Sequence, residues 1–283
     1  MARRFGLGSK FKISVGAIVV VLIGLMALFA PWLAPFDPYD QDLMRRLKPP
    51  IWDDGSDPAH LLGTDNYGRD LLSRLIFGSR ISVMVGMAAM LISAIIGTLL
   101  GMLAGFKGGR AEQVIMRLAD AQLAFPEILL AILVVSALGG SATNLVVVLG
   151  VSGWMVYARI TFSQTRSLRE RPYVEAARSF GAKDLTIIVR HILPQLLPVL
   201  VVLSTLQVAT RILQETGLSF LGLGLPPPAA TWGNILAEGR DRLLIAPWIA
   251  NLSGLCIIVL VFGINMLGNG LRERLDPKGK PIA

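Results

Sequence analysis

Long apolar runs alternate with short polar stretches along this chain, and six of the runs reach membrane length. They cover residues 13–30, 81–105, 118–138, 142–158, 192–213 and 248–267. A helix needs about 20 predominantly apolar residues to cross the hydrocarbon core of a bilayer. The pattern therefore predicts an all-α integral membrane protein with six transmembrane helices. Pro194 and Pro198 fall in the fifth run and predict a kinked helix supported by its neighbours. Arg3, Arg4, Lys10 and Lys12 precede the first run in the manner of a signal peptide. That run is longer than a typical h-region and leads directly into Pro31, so a retained helix is expected.

The polar stretches divide the chain. Residues 1–80 form a tail, a first helix and a long loop in which Pro49, Pro50, Gly55 and Pro58 limit regular structure. Leu71, Leu72, Leu75 and Ile76 then mark the apolar face of an amphipathic helix that feeds the second span. Residues 81–270 hold the five remaining spans, interrupted by a polar loop at about 165–194, and 271–283 form a basic tail. In the second span Gly97, Gly101 and Gly105 recur every four residues, a stripe on which another helix can pack closely. Between the last two spans, ETGLSFLGLGLPPPAATWGNIL is apolar but too interrupted to cross. It is expected to dip into the outer leaflet or to pack over the outer mouth, shielded by protein.

The third span is the anomalous one. Its clean apolar part, 128–138, is too short, and reaching membrane length draws in Asp120, Gln122, Pro126 and Glu127. An acid at the bilayer centre costs about 2.5–3.5 kcal/mol, against about 0.3–0.6 kcal/mol gained per large apolar residue. Asp120 and Glu127 are seven apart and so are expected on one helical face. Two readings stand. Asp120 lies at the interface while Glu127 pairs with a neighbouring helix, or both belong to a translocation path or gate.

Composition agrees with a membrane protein, since 53% of residues are hydrophobic and only 16% charged, where soluble chains carry about 25%. The net charge of +8 could suggest nucleic acid, but the basic residues follow topology. With both termini cytoplasmic, the inner segments collect Lys107, Arg110, Arg117, Arg159, Arg166, Arg169, Arg171, Arg178, Lys183, Arg190, Arg272, Arg274, Lys278 and Lys280 besides the four N-terminal ones. The positive-inside rule favours that orientation, and Trp32 and Trp248 then fall at outer boundaries. The single cysteine, Cys256, lies mid-span and suits a small apolar role.

Catalytic chemistry is missing from the sequence. It contains no GxxxxGK[ST] loop for phosphate, no metal-ligand spacing of His and Cys, and no nucleophile with its base. The chain is not expected to be an enzyme, nor to bind a cofactor or metal itself.

What remains is the polar loop, whose core reads EAARSFGAKDLTIIVRHILP from Glu175 to Pro194. Pro172 suits the first turn of a helix, and Glu175 in that turn complements the helix dipole. Ala176 and Ala177 keep one face thin, and Gly181 is placed to close the helix in a left-handed cap. The helix is short and lacks the large apolar face of a membrane-surface helix, so docking to a soluble protein is the better reading.

This stretch resembles the EAA loop of binding-protein-dependent ABC importer permeases: EAA, three residues, G, nine residues, I, one residue, LP. Glu175, Ala176, Ala177, Gly181, Leu193 and Pro194 fit it in order and spacing, while His191 stands in place of the isoleucine. HLLGTDNYGRDLLSRLIFGSR, ADAQLAFPEILLA, LSFLGLGLPPPAATWG and GNGLRERLDP are similar to the C-type permease of dipeptide, oligopeptide and nickel importers. The resemblance implies a type I ABC importer permease fold in a bacterial or archaeal plasma membrane, the inner membrane of a Gram-negative cell. It implies a homologous second permease, two ATPase subunits that use ATP and Mg²⁺, and an extracytoplasmic solute-binding protein, with membrane lipid around and no nucleic acid. It further implies that Glu175, Ala176, Ala177, Gly181, Ala182, Leu193 and Pro194 couple to the ATPases. Peptides are the expected cargo, with nickel chelates, opines or sugars as alternatives within the family. An ion-coupled secondary transporter using Asp120 and Glu127 is the rival from another class, and a non-transporting membrane scaffold is a third reading.

Overall fold

The computed structural model describes residues 2–275, and its regular structure is helical; among the described residues the only β feature is an isolated bridge between Thr64 and Asp70. Of the basic residues assigned to the inner side, Arg3, Arg4, Lys278 and Lys280 lie outside the described side chains. Helix α1 (Ala2–Leu28) leads through the single turn α2 (Ala30–Leu33) into the long loop. There follow α3 (Leu71–Lys107), α4 (Gly109–Leu123), α5 (Glu127–Leu138), α6 (Ala142–Ser152) and α7 (Trp154–Arg169). The chain continues through α8 (Pro172–Ser179), α9 (Asp184–Ile187), α10 (Leu193–Phe220), α11 (Trp232–Arg240) and α12 (Pro247–Leu275). Five stretches are long and apolar enough to cross a membrane, and a sixth results if the bent pair α4–α5 is one span.

Local sequence explains where these elements begin and end. Asp70 caps α3 by accepting the Ser73 backbone N–H at 2.7 Å, and Ser141 and Thr231 cap α6 and α11 in the same way. The expected amphipathic helix at Leu71–Ile76 is the first two turns of α3 itself, with Leu71, Leu75 and Ile76 buried. Pro194 and Pro198 do not break the fifth span. A π-turn at Ile188–Ile192 widens the helix just before Pro194, with the Leu193 N–H bonded to the Ile188 carbonyl. The segment after the fifth span also differs from expectation, because residues 215–220 extend α10 and only 221–231 leave the helix.

Helix α3 is the axis of the fold. A methyl built on Gly97, Gly101 or Gly105 would overlap the backbone or side chains of Trp154, Ala158, Thr161 or Phe162, so α7 lies directly on the glycine stripe. Helix α1 packs along α12. The largest buried cluster gathers Leu71, Leu75, Ile212, Trp232, Ile249 and Leu260 from α3, α10, α11 and α12. Trp232 is fully buried, and its indole donates to the Leu75 carbonyl at 2.9 Å.

The long loop is held by charge. Arg74 and Arg69 both bind Asp65 and both reach Glu238 on α11, Arg69 at 2.9 Å and Arg74 at 2.6 and 3.1 Å. Such buried pairs add little net stability compared with an apolar core, but breaking one side is costly. The network therefore fixes where the loop sits on α3 and α11.

Candidate functional site

The polar loop folds into two short helices on the end of α3. Pro172 begins α8, where its missing N–H costs nothing, and Glu175 lies in the first turn. The helix stops in a Schellman cap: the Ala182 N–H reaches the Ala177 carbonyl at 3.0 Å, and the Gly181 N–H reaches Arg178 at 3.0 Å. Gly181 has φ +81°, a conformation that suits glycine. Replacing Gly181 with valine should strain this cap by about 1–2 kcal/mol. The yield of any complex that depends on it should drop on the order of tenfold. Co-purification of the partner at normal yield would count against the cap.

One face of this loop is sealed against the helix bundle. Val174, Ile187 and Ile192 are fully buried with Met102 and Phe106 of α3 and Leu196 of α10, and Ala177, Ala182 and Leu193 pack partly against them. Each fully buried aliphatic side chain contributes about 1.5–3 kcal/mol, so the loop is anchored rather than dangling. A strap adds to this, since Gln195 on α10 donates to the Tyr173 hydroxyl at 2.7 Å. Tyr173 also lies near the ring of His191.

The other face is open. Glu175, Ala176, Gly181 and Pro194 are exposed. Among the described residues Glu175 forms no salt bridge, although it lines a cleft of about 570 Å³ with Lys107, Arg169, Arg178 and Asp184. Phe180, which the sequence reading passed over, is 92% exposed, and Leu185 is also open. The loop is thus rigidly attached behind and presents an acid without a salt bridge, small residues and a bare aromatic in front.

For the second set of expected site residues, the reading in which Glu127 pairs with a neighbouring helix agrees with the structure, while the shared helical face does not. Asp120 and Glu127 were expected on one helical face, and they are not. Helices α4 and α5 meet at 86°. Pro126 supplies no N–H and keeps Phe125 out of the helical region, so the helix stops between the two acids. Asp120 pairs with exposed Arg159 on α7. Glu127 pairs with Arg211 on α10, and Gln214 donates to its second oxygen at 3.0 Å. Arg211 is fully buried and was not singled out from sequence. The available signal was an arginine inside an apolar run, which demands an acid nearby.

Comparison with known proteins shows the family of the chain. Residues 97–280 match the family described as binding-protein-dependent transport system inner membrane component, and residues 14–50 match the N-terminal TM domain of oligopeptide transport permease C. The di/tripeptide transport system permease protein DppC of Pseudomonas aeruginosa is 44% identical over 95% of this chain and 88% of its own length. The glutathione transport system permease protein GsiD of Pectobacterium atrosepticum is 41% identical over 98% of this chain and 90% of its own. The oligopeptide transport system permease protein OppC of Bacillus subtilis is 38% identical over 93% and 85% respectively. Among solved structures, the inward-facing MetNI methionine ABC transporter matches with a TM-score of 0.59 at 19% identity. The match covers 73% of this chain and 98% of that one, a likeness of fold.

Proposed function

The chain belongs to the family of binding-protein-dependent transport system inner membrane components, and from that premise we propose that it is the C-type permease of an ATP-driven peptide importer. Its cargo is di- or oligopeptides, the class named for the relatives that share about two fifths of its sequence. It works beside a homologous second permease, with two ATPase subunits that bind ATP and Mg²⁺ on the inner side and a solute-binding protein outside. Both termini are cytoplasmic, as the charge distribution favours.

The observation that carries this reading is the anchored knob α8, with Val174 sealed inside and Glu175, Ala176 and Phe180 outside. Alternating access then follows a simple physical rule. ATPases can shift the bundle only through contacts that differ between its two states. When nucleotide draws the ATPases together, α8 moves with them. Its buried side chains pass that movement to the end of α3 and, through the π-turn, to α10. The bundle turns outward, the binding protein delivers its ligand, and hydrolysis resets the assembly.

Against the rival ion-coupled transporter, Asp120 and Glu127 are each engaged by an arginine rather than facing each other across one site. The assembly reconstituted with its binding protein should take up dipeptide at an unchanged rate when the proton gradient is collapsed and ATP is held constant. Uptake that stops with the gradient would replace this reading by the ion-coupled one. Mass spectrometry of the ligand retained by the binding protein identifies the cargo.

A further inference from the structure

Besides the network that holds the long loop, a buried charged cluster with no part in the coupling loop lies at the bend between α4 and α5. The bend falls midway along what would otherwise be one span. Leu123, Ala124, Phe125 and Pro126 are exposed there. Non-helical backbone at that depth is tolerated only against protein or along a water-filled cavity.

Both arms of the elbow are tied to one point, the junction of α6 and α7 at Gly153. Before the bend, the Gln122 amide donates to the Ser152 carbonyl at 2.7 Å and accepts the Trp154 indole N–H at 2.6 Å. After it, Glu127 is bound by Arg211, whose guanidinium lies so close to Gly153 that a methyl there would overlap it. Arg211 also donates to Gln214 at 2.6 Å and to Gln207 at 3.2 Å, so its charge is shared only with neutral amides and one acid. Arg211 itself is fully buried, whereas the Glu127 side chain keeps 17% exposure.

Resting on the importer reading above, we propose that the exposed bend lines the path of the cargo, and that Arg211 and Glu127 form a positioning pair that holds the elbow on Gly153 and leaves no net charge there. Peptides of any net charge then pass at similar rates. Arg211 is a positioning residue, and Glu127 is the half of the pair nearest the cargo. A pair that only stabilised the fold would carry no such dependence on cargo charge.

The experiment measures uptake of cationic, neutral and anionic dipeptides by the reconstituted complex, with the binding protein saturated by each. In Glu127→Gln, uptake of the cationic dipeptide should fall about tenfold or more relative to the anionic one, because Arg211 is left unpaired in a low dielectric. Arg211→Gln should shift the ratio in the opposite direction, and the exchanged pair, Glu127→Arg with Arg211→Glu, should bring it back. Equal losses for all three peptides in both single variants overturn the proposal and leave a structural ion pair. An unchanged ratio overturns it too. If a single variant fails to accumulate, the neutral pair Glu127→Gln with Arg211→Met decides. It should keep the even ratio while ATPase activity without substrate rises about threefold or more, from a loosened elbow. Substrate-dependent ATPase as tight as in the wild type then refutes the positioning pair. A wild-type complex that takes up no peptide refutes the importer reading instead.

Discussion

Glu175→Lys is expected to abolish ATP-driven uptake while the protein still accumulates in the membrane in normal amount. The two halves of this expectation have separate physical grounds. Accumulation depends on the sealed side of the loop, where Val174, Ile187 and Ile192 pack on Met102 and Phe106, and Glu175 is not part of that cluster. The position is exposed in the first turn of α8, so a lysine fits sterically. It is unfavourable at a helix N-terminus by about 0.3–1 kcal/mol, too little to unfold the loop. Coupling depends on the open side. An acid buried against a partner and replaced by a cation loses its bond and leaves the partner group unpaired, which costs about 2–5 kcal/mol. At about 1.4 kcal/mol per factor of ten, association with the ATPases falls at least roughly 30-fold. Uptake into vesicles and co-purification of the ATPase subunits are the measurements. Wild-type uptake together with wild-type ATPase recovery would show that α8 is not the docking element.

The prediction rests on a part of the molecule that the sequence spelled out, and the contrast with the parts it did not spell out has physical causes. Pro172, Glu175 and Gly181 act through local rules of helix start, dipole and cap, and these need only neighbours in sequence. The apolar runs were legible for the same reason, since spanning length is counted along the chain. What failed was long-range. Asp120 and Glu127 have helical spacing, but the bend at 124–126 overrides it, and the partner that draws Glu127 aside is Arg211, distant in sequence. The loop before α3 reads as irregular from its prolines, yet Asp65 and Arg69 within it and Arg74 at the start of α3 join it to Glu238 on α11. No local pattern announces a bond between residues so far apart. Phe180 was missed for another reason: local sequence does not tell whether an aromatic residue before a glycine cap faces the bundle or the open side, and it is exposed.

The largest effect on the fold itself is expected at Gly101, where valine should prevent α3 and α7 from closing. A methyl at this position meets the Thr161 hydroxyl and the backbone of Ala158, and backbone atoms cannot rotate out of the way. Thr161 is fixed as well, because its hydroxyl donates to the Tyr157 carbonyl at 2.8 Å. In lipid, helices associate through close packing rather than through exclusion of water, so a forced separation is not offset by burying the added methyls. Overpacking costs about 1–3 kcal/mol where side chains can adjust, and more where they cannot. Accumulation of Gly101→Val in the membrane should therefore fall by about tenfold or more. Gly24→Val is the control. It makes the same change in an apolar helix, where nothing lies within 4 Å of the new side chain. That variant should accumulate as the wild type does. Equal amounts of the two valine variants would mean that α7 does not lie on the glycine stripe, and the bundle built around α3 would have to be redrawn.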